Sequence, residues 1–297
     1  MVIIIMAWKN PIVNLAALSL GLSQLAIAVG FPVVARASSP VKGLNSQVGD
    51  VWQIAQFNPP DRGAPDVGVG GATRGECGAQ IDITPLIPKD TSRDYGDIAA
   101  PYFGLTVAER PTFFWHVGKS VASVAQEVSF AVVEFNPEGR GKDGQLVYET
   151  SFNAPASPGV VSTKLPPSAG LEAGKTYRWY LDVVCGNDVT AELVPITEGW
   201  VDRVDATPVL SSQLVRAQTI EERSQAYAEA GVWFDALNIL GQERISADTE
   251  TLKTQWENLL KAINLEDAEG VANAPFMDCC NESVEVFEEE PAFTSQN

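Results

Sequence analysis

"LEAGKTYRWYLDVVC", residues 171–185, is the stretch on which the fold turns. Side chains along a β-strand alternate between two faces. On that rule Tyr177, Trp179, Leu181, Val183 and Cys185 share one face, and Arg178, Tyr180 and Asp182 share the other. The first set is apolar and carries a cysteine, so it is expected to face a core. A turn with glycine and lysine precedes it and fixes where the strand opens.

Working outward, the sequence predicts seven strands: Ala79–Ile87, Thr112–Val117, Glu127–Phe135, Gln145–Phe152, Gly159–Leu165, Thr176–Cys185 and Glu198–Val204. Turn-forming stretches such as "NPEGRGKDG" and "NAPASPG" separate several of them. "EVSFAVVEF" is apolar on nearly both faces, which suits a strand with neighbours on both sides. Tyr177, opening a long strand after a Leu-x-x-Gly-Lys turn, is similar to the tyrosine corner of immunoglobulin- and fibronectin-like sandwiches. The expected fold class is therefore mostly β with a C-terminal α unit: an antiparallel β-sandwich over residues 77–205, followed by helices.

After Asp205 the apolar period lengthens from two to about 3.6 residues. Thr219 and Glu222 form a capping-box pattern, and Gly231 interrupts the helical run. "AYAEAGVWFDAL" resembles one hairpin of a tetratricopeptide repeat, with small Ala226 and Ala236 where two helices approach. A third helix, Asp248–Leu265, places Leu252, Trp256, Leu259, Leu260 and Ile263 on one stripe and is expected to cap the hairpin. The helical unit is read as residues 206–265. Residues 266–297 read as an acidic, disordered tail.

The N-terminal 37 residues read as a secretory signal. Lys9 precedes an apolar run from Pro11 to Val34, and Ala35-Arg36-Ala37 gives a small-x-small cleavage pattern. The alternative is an uncleaved membrane anchor, since a run of roughly this length could span a bilayer. Residues 38–76 read as an irregular lead-in rich in Gly and Pro. Export permits disulfides. Cys279 and Cys280 are neighbours in the tail, so the economical bridge joins Cys77 to Cys185; two free buried thiols are the alternative.

Composition narrows the function classes. The chain has 297 residues, 38 Asp plus Glu against 20 Lys plus Arg, and a net charge of −18. Nucleic acid and anionic lipid are bound through clustered Lys and Arg, so neither is an expected partner, and no membrane insertion is expected after signal cleavage. "GVGGATRG" lacks the Gly-Lys-Ser/Thr of a Walker loop, and Thr73 stands where a dinucleotide loop needs its third glycine. It reads as a turn that leads Cys77 into a core. His116 is the only histidine, and no Gly-x-Ser-x-Gly is present. No catalytic, metal or cofactor residues are assigned, and no cofactor is expected. Arg74, Trp200 and Arg203 are the candidate ligand or partner contacts: two guanidinium groups and an indole that could serve as a stacking platform if partly exposed.

The ordered set "FNPPDRGAP", "GGATRGEC", "PTFFWHV", "GVVSTKLP", "YRWYLDVVC", "EGWVDRV" and "AGVWFDALNIL…WENLL" resembles the cyanobacterial domain-of-unknown-function family 928 over roughly residues 55–265. The resemblance implies an exported protein and supplies no catalytic residues. His116 departs from the pattern, and nothing catalytic is rested on it. The expected function is that of an exported, non-enzymatic binding or envelope-assembly module, periplasmic or extracellular, whose partner is a protein or glycan of the cell envelope. The alternative is a secreted hydrolase built on acidic residues.

Overall fold

The computed structural model describes residues 56–66, 77–119, 121–139, 143–186 and 191–277. The expected signal (1–37), Arg74, Cys279, Cys280 and the tail beyond Met277 lie outside the described residues. The chain is mostly β, with two sheets and C-terminal helices. The strands are β1 (Ile83–Pro85), β2 (Tyr102–Thr106), β3 (Thr112–Val117), β4 (Ala125–Phe135), β5 (Asp143–Asn153), β6 (Gly159–Lys164), β7 (Thr176–Cys185) and β8 (Glu192–Arg203). The helices are α1 (Pro208–Arg216), α2 (Ile220–Glu229), α3 (Trp233–Ser246), α4 (Glu250–Ala262) and α5 (Ala268–Asn273). One sheet has the order β1-β3-β6, the other β2-β8-β7-β4-β5.

The alternation of β7 holds residue by residue. Tyr177, Trp179, Leu181, Val183 and Cys185 are buried, and the residues between them are half-buried. The Glu172 N–H donates to the Tyr177 hydroxyl at 2.7 Å, so the buried phenol oxygen has a partner five residues upstream. That bond closes the turn between β6 and β7. Cys185 is bonded to Cys77, with Cα atoms 6.2 Å apart. The bridge joins the approach to β1, in one sheet, to the end of β7, in the other.

Several expectations are corrected. The sheets are not wholly antiparallel: β2 runs parallel to β8, with Phe103 opposite Trp200 and Leu105 opposite Asp202. β2 was also not foreseen as a strand. Its sequence, "YFGLT", is buried on both faces and so shows no alternation. Gly104 lies beneath Phe234, where a Cβ would sit 2.8 Å from the ring, so only glycine lets α3 approach. β8 likewise begins at Glu192, six residues before the expected start. Pro195 hid that extension. It sits by a register shift between Leu181 and Asp182, at a level that β2, which pairs only Gly199–Arg203, does not reach. A proline without N–H is tolerated at such an edge.

β3 lies between two layers. Phe113 meets Phe130 at 4.9 Å, and Trp115 stacks on Phe130 and Phe152, which faces β3 toward the five-stranded sheet. On its other side Phe114 meets Trp256 of α4 at 5.5 Å. Four of the five stripe residues expected on the third helix, Leu252, Trp256, Leu259 and Leu260, are buried. The capping box is present as expected: the Glu222 N–H donates to Thr219 Oγ1, and the Glu222 carboxylate accepts from the Thr219 N–H. Gly231, at φ +75°, turns the chain between α2 and α3, and the Ser224 hydroxyl donates to the Ala236 carbonyl to bind the two helices. Residues 266–277, inside the expected tail, are ordered. α5 buries Ala268, Val271 and Ala272, and Phe276 lies beside Val160 of β6 and packs on Trp256. Among the described residues no helix is long and apolar enough to cross a membrane.

A half-buried acid marks the seam between α3 and β2. Asp235 Oδ2 accepts from Thr106 Oγ1 at 2.8 Å and from the Val107 N–H at 3.1 Å. Both donors are neutral. Burial pushes the carboxyl up from 3.8 to about 6, against these hydrogen bonds. A raised acid pKa means that the folded protein holds its proton more tightly than the unfolded chain. The stability this confers is full below about pH 4 and is lost as pH rises through about 6. Asp235→Asn keeps an acceptor for both donors and removes the charge. Melting temperatures from pH 4 to 8 are expected to show the wild type losing ground to the variant as pH rises; parallel curves would contradict the assignment. The disulfide gives a second test. In the chain-entropy picture a loop of about 100 residues contributes on the order of 4 to 5 kcal/mol. Urea melts with and without reductant are expected to differ by a few kcal/mol, and Cys77→Ser is expected to match the reduced wild type.

Candidate functional site

The outer face of the five-stranded sheet carries a polar and aromatic cluster. Its register fixes who meets whom: Thr176 is opposite Asp202, Arg178 opposite Trp200 and Tyr180 opposite Glu198. Arg178 Nη2 pairs with Glu198 Oε1 at 2.5 Å. The same guanidinium lies 5.1 Å from the Trp200 ring and 5.0 Å from the Tyr180 ring, so the cation is held between two π faces. Across β4, Val133, Ala131 and Ser129 stand opposite Arg178, Tyr180 and Asp182, and the last two of these small side chains keep the floor low. Asp182 is half-buried. Burial, then the neighbouring Glu198 charge, pushes its carboxyl above the usual range.

At the β2 end of this face, residues 56–66 cross as an extended strap. Phe57 docks edge-on against Trp233 at 5.0 Å, and the Asn58 N–H donates to the Ala228 carbonyl. Arg62 Nη1 lies 3.1 Å from Asp202 Oδ2. Asp202 is 7% exposed at its side chain, while Arg62 is 53% exposed. Burial pushes the Asp202 carboxyl up, with Thr176 and Arg62 pulling the other way, and its Oδ1 is buried without a hydrogen-bond partner. Ala64 packs with Trp200, Phe103 and Leu105. Its N–H donates to Asp90 Oδ2 at 2.8 Å. Asp90 also accepts from the Ser92 N–H at 2.8 Å and the Tyr95 hydroxyl at 2.5 Å. Burial pushes the Asp90 carboxyl up, but these donors outweigh it and hold it below its ordinary value. Arg93 reaches the Ala64 and Pro65 carbonyls and lies 3.4 Å from Asp66.

The residues singled out from sequence fall in different places. Trp200 is on this face but only 4% exposed, so it is not an open platform: Phe135, Arg178 and the strap residue Ala64 cover it. Arg203 is half-buried and braces the turn before β7. Its guanidinium donates to the Leu171 carbonyl, and its backbone bonds Gly174 and Lys175. Arg74 lies outside the described residues. His116 is on the other sheet; burial lowers its pKa, while Asp82 and Asp267 pull it back up. Arg178, Tyr180, Asp182 and Glu198 were not assigned a role from sequence. The signal for three of them was the polar side of the β7 alternation. Arg62 and Asp90 gave no such signal, because each meets its partner through irregular chain. Among the described residues no group of three His, Cys, Asp or Glu side chains is placed to hold a metal ion.

No curated protein matches the chain. A family described as "Domain of Unknown Function (DUF928)" matches residues 69–276, from just before Cys77 to Phe276, and thus spans both sheets and all five helices. With most of its length inside that match, the chain belongs to the DUF928 family.

Proposed function

We propose that this protein is an exported, non-enzymatic recognition or envelope-assembly module that binds a protein or glycan partner through the outer face of its five-stranded sheet. The observation that carries this reading is the Arg178–Tyr180 pair, backed from beneath by Trp200, with Glu198 and Asp182 beside it. Rigid strands hold aromatic, cationic and anionic groups in fixed register, which suits recognition. Arg178 and Glu198 are tied to each other as a pair, which suits turnover less well.

The strand order supports a finer reading of the fold. Orders β1-β3-β6 and β8-β7-β4-β5 match the A-B-E and G-F-C-C′ arrangement of immunoglobulin- and fibronectin-like sandwiches, with Tyr177 at the tyrosine corner. The bridge departs from the antibody pattern, since Cys77 precedes β1 and does not lie on β3. The α2–α3 pair reads as a single hairpin of tetratricopeptide type, built on Ala226, Gly231 and Ala236. The N-terminal apolar run and the disulfide support export to an oxidising compartment.

One observation favours a second reading. Asp182 and Glu198 share the face, and Asp182 is pushed up while Glu198 is paired with Arg178. Carboxyl groups in unlike environments are the hallmark of acid–base hydrolysis of glycosides. In that case Asp182→Asn and Glu198→Gln would each abolish cleavage of envelope polysaccharide.

Hydrogen exchange on the secreted chain, with and without envelope extract, tests the main reading. Protection is expected over residues 178–182 and 193–200. The Arg178→Ala, Tyr180→Ala double variant is expected to lose retention of the partner while keeping its melting transition. Equal retention by the folded double variant would overturn the proposal.

A further inference from the structure

The strap shows what the neighbouring groove accepts, because several of its polar groups have partners there. The Arg62 guanidinium meets Asp202. The Ala64 N–H meets Asp90. The Ala64 and Pro65 carbonyls and the Asp66 carboxylate meet Arg93. The Ala64 methyl fills the apolar floor of Phe103, Leu105 and Trp200. Gly63 has no room for a side chain: a Cβ there would lie within 2.4 Å of the Asp90 carboxylate oxygens. These are the elements of extended-peptide recognition: backbone bonds for affinity, one charge and one small side-chain pocket for specificity.

We propose that residues 62–66 are a built-in occupant of a peptide groove, and that the groove's partner is an extended protein segment that displaces them. The segment presents a cation two residues before a small apolar side chain, as Arg62 and Ala64 do. This rests on the recognition reading above and names the partner's chemistry.

Three observations favour a displaceable occupant over a fixed strut. The receptor carboxylate is buried and its second oxygen is unpartnered, while the cation it holds is more than half exposed. An incoming ammonium or guanidinium therefore has an acceptor waiting at Asp202 Oδ1. The backbone of Ala64 and Pro65 is held by the side chains of Asp90 and Arg93, bonds that another extended segment can make in its place. The strap itself has no helix or strand to hold it, so its ends are anchored by side-chain and single backbone bonds. The cis occupant competes at the high effective concentration of a tethered segment, and so lowers the apparent affinity of any ligand added in trans.

The test uses the full chain and a fluorescein-labelled peptide of residues 57–66, FNPPDRGAPD. Arg62→Ala loosens the cis occupant. It is expected to bind the peptide roughly tenfold or more tightly than the wild type, in line with removal of an internal competitor. Arg62→Lys is expected to behave as the wild type. Binding is expected to vanish when Asp202→Asn is added, and when the peptide's own arginine is alanine. Should Arg62→Ala melt early, Asp66→Ala releases the other end and carries the same expectation. No binding to either folded variant at millimolar peptide, or binding indifferent to Asp202→Asn, overturns the proposal. So does concentration-dependent dimerisation of the wild type with no peptide uptake, which would make the strap an element exchanged between copies. Because partner retention through Arg178 and Tyr180 is measured separately, the groove can fail while the recognition reading stands.

Discussion

β3 has to be buried on both faces, and the rest of the architecture answers that demand. Phe113 and Trp115 need the five-stranded sheet above them, and Phe114 needs α4 below. A short strand with three large aromatic rings cannot leave either side to water, since each ring removes on the order of 150 to 250 Å² from solvent. Two sheets alone would leave Phe114 exposed. Helices packed on the outer side of β1-β3-β6 therefore complete the core. Gly104 and Gly241 allow this layer to close, one under Phe234 and the other against Phe114 and Trp256.

Much of this was legible in the sequence, and the illegible parts share a cause. β7 could be read because one of its faces is core and the other half-wet, so the period of two survives. β2 could not, because the strap and α3 cover both faces of it and erase the pattern. The extra length of β8 was masked by Pro195. α1 was not foreseen, because of its residues only Leu210 is buried and so no apolar stripe announces it. The candidate site was half legible: Arg178, Tyr180 and Asp182 were visible as the outer set of one strand. Trp200 was correctly placed on a strand but its cover was not foreseen. That cover depends on Ala64 meeting Phe103 and Trp200, and contacts between segments so far apart leave no local trace.

The acidic excess also takes on a more definite meaning. Among the described carboxylates, several, such as Asp61, Asp66 and Asp97, stand exposed on the surface. Asp90, Asp202 and Asp235 instead sit where chain segments meet, and their surroundings differ. Asp90 has three donors and ionises easily. Asp235 has neutral donors alone, and Asp202 has a cation on one oxygen only, so burial raises both. One residue type thus makes a firm anchor in the first case and costly, adjustable joints in the other two.

The parallel pairing of β2 with β8 carries a consequence for the order of assembly. Among the described strands β2 pairs with β8, the last of them, and its other edge meets only a short bridge at Lys89. The covalent ring from Cys77 to Cys185 holds β1 through β7 but leaves β8 on the free arm. Oxidation can therefore tether the early strands while β2 still waits at an unfinished rim. Only when the arm threads between β2 and β7 is the rim closed, some 90 residues after β2 in the chain, a long loop whose closure costs conformational entropy before any contact repays it. A chain cut short ahead of residue 192 would keep its staple and still present a bare strand edge.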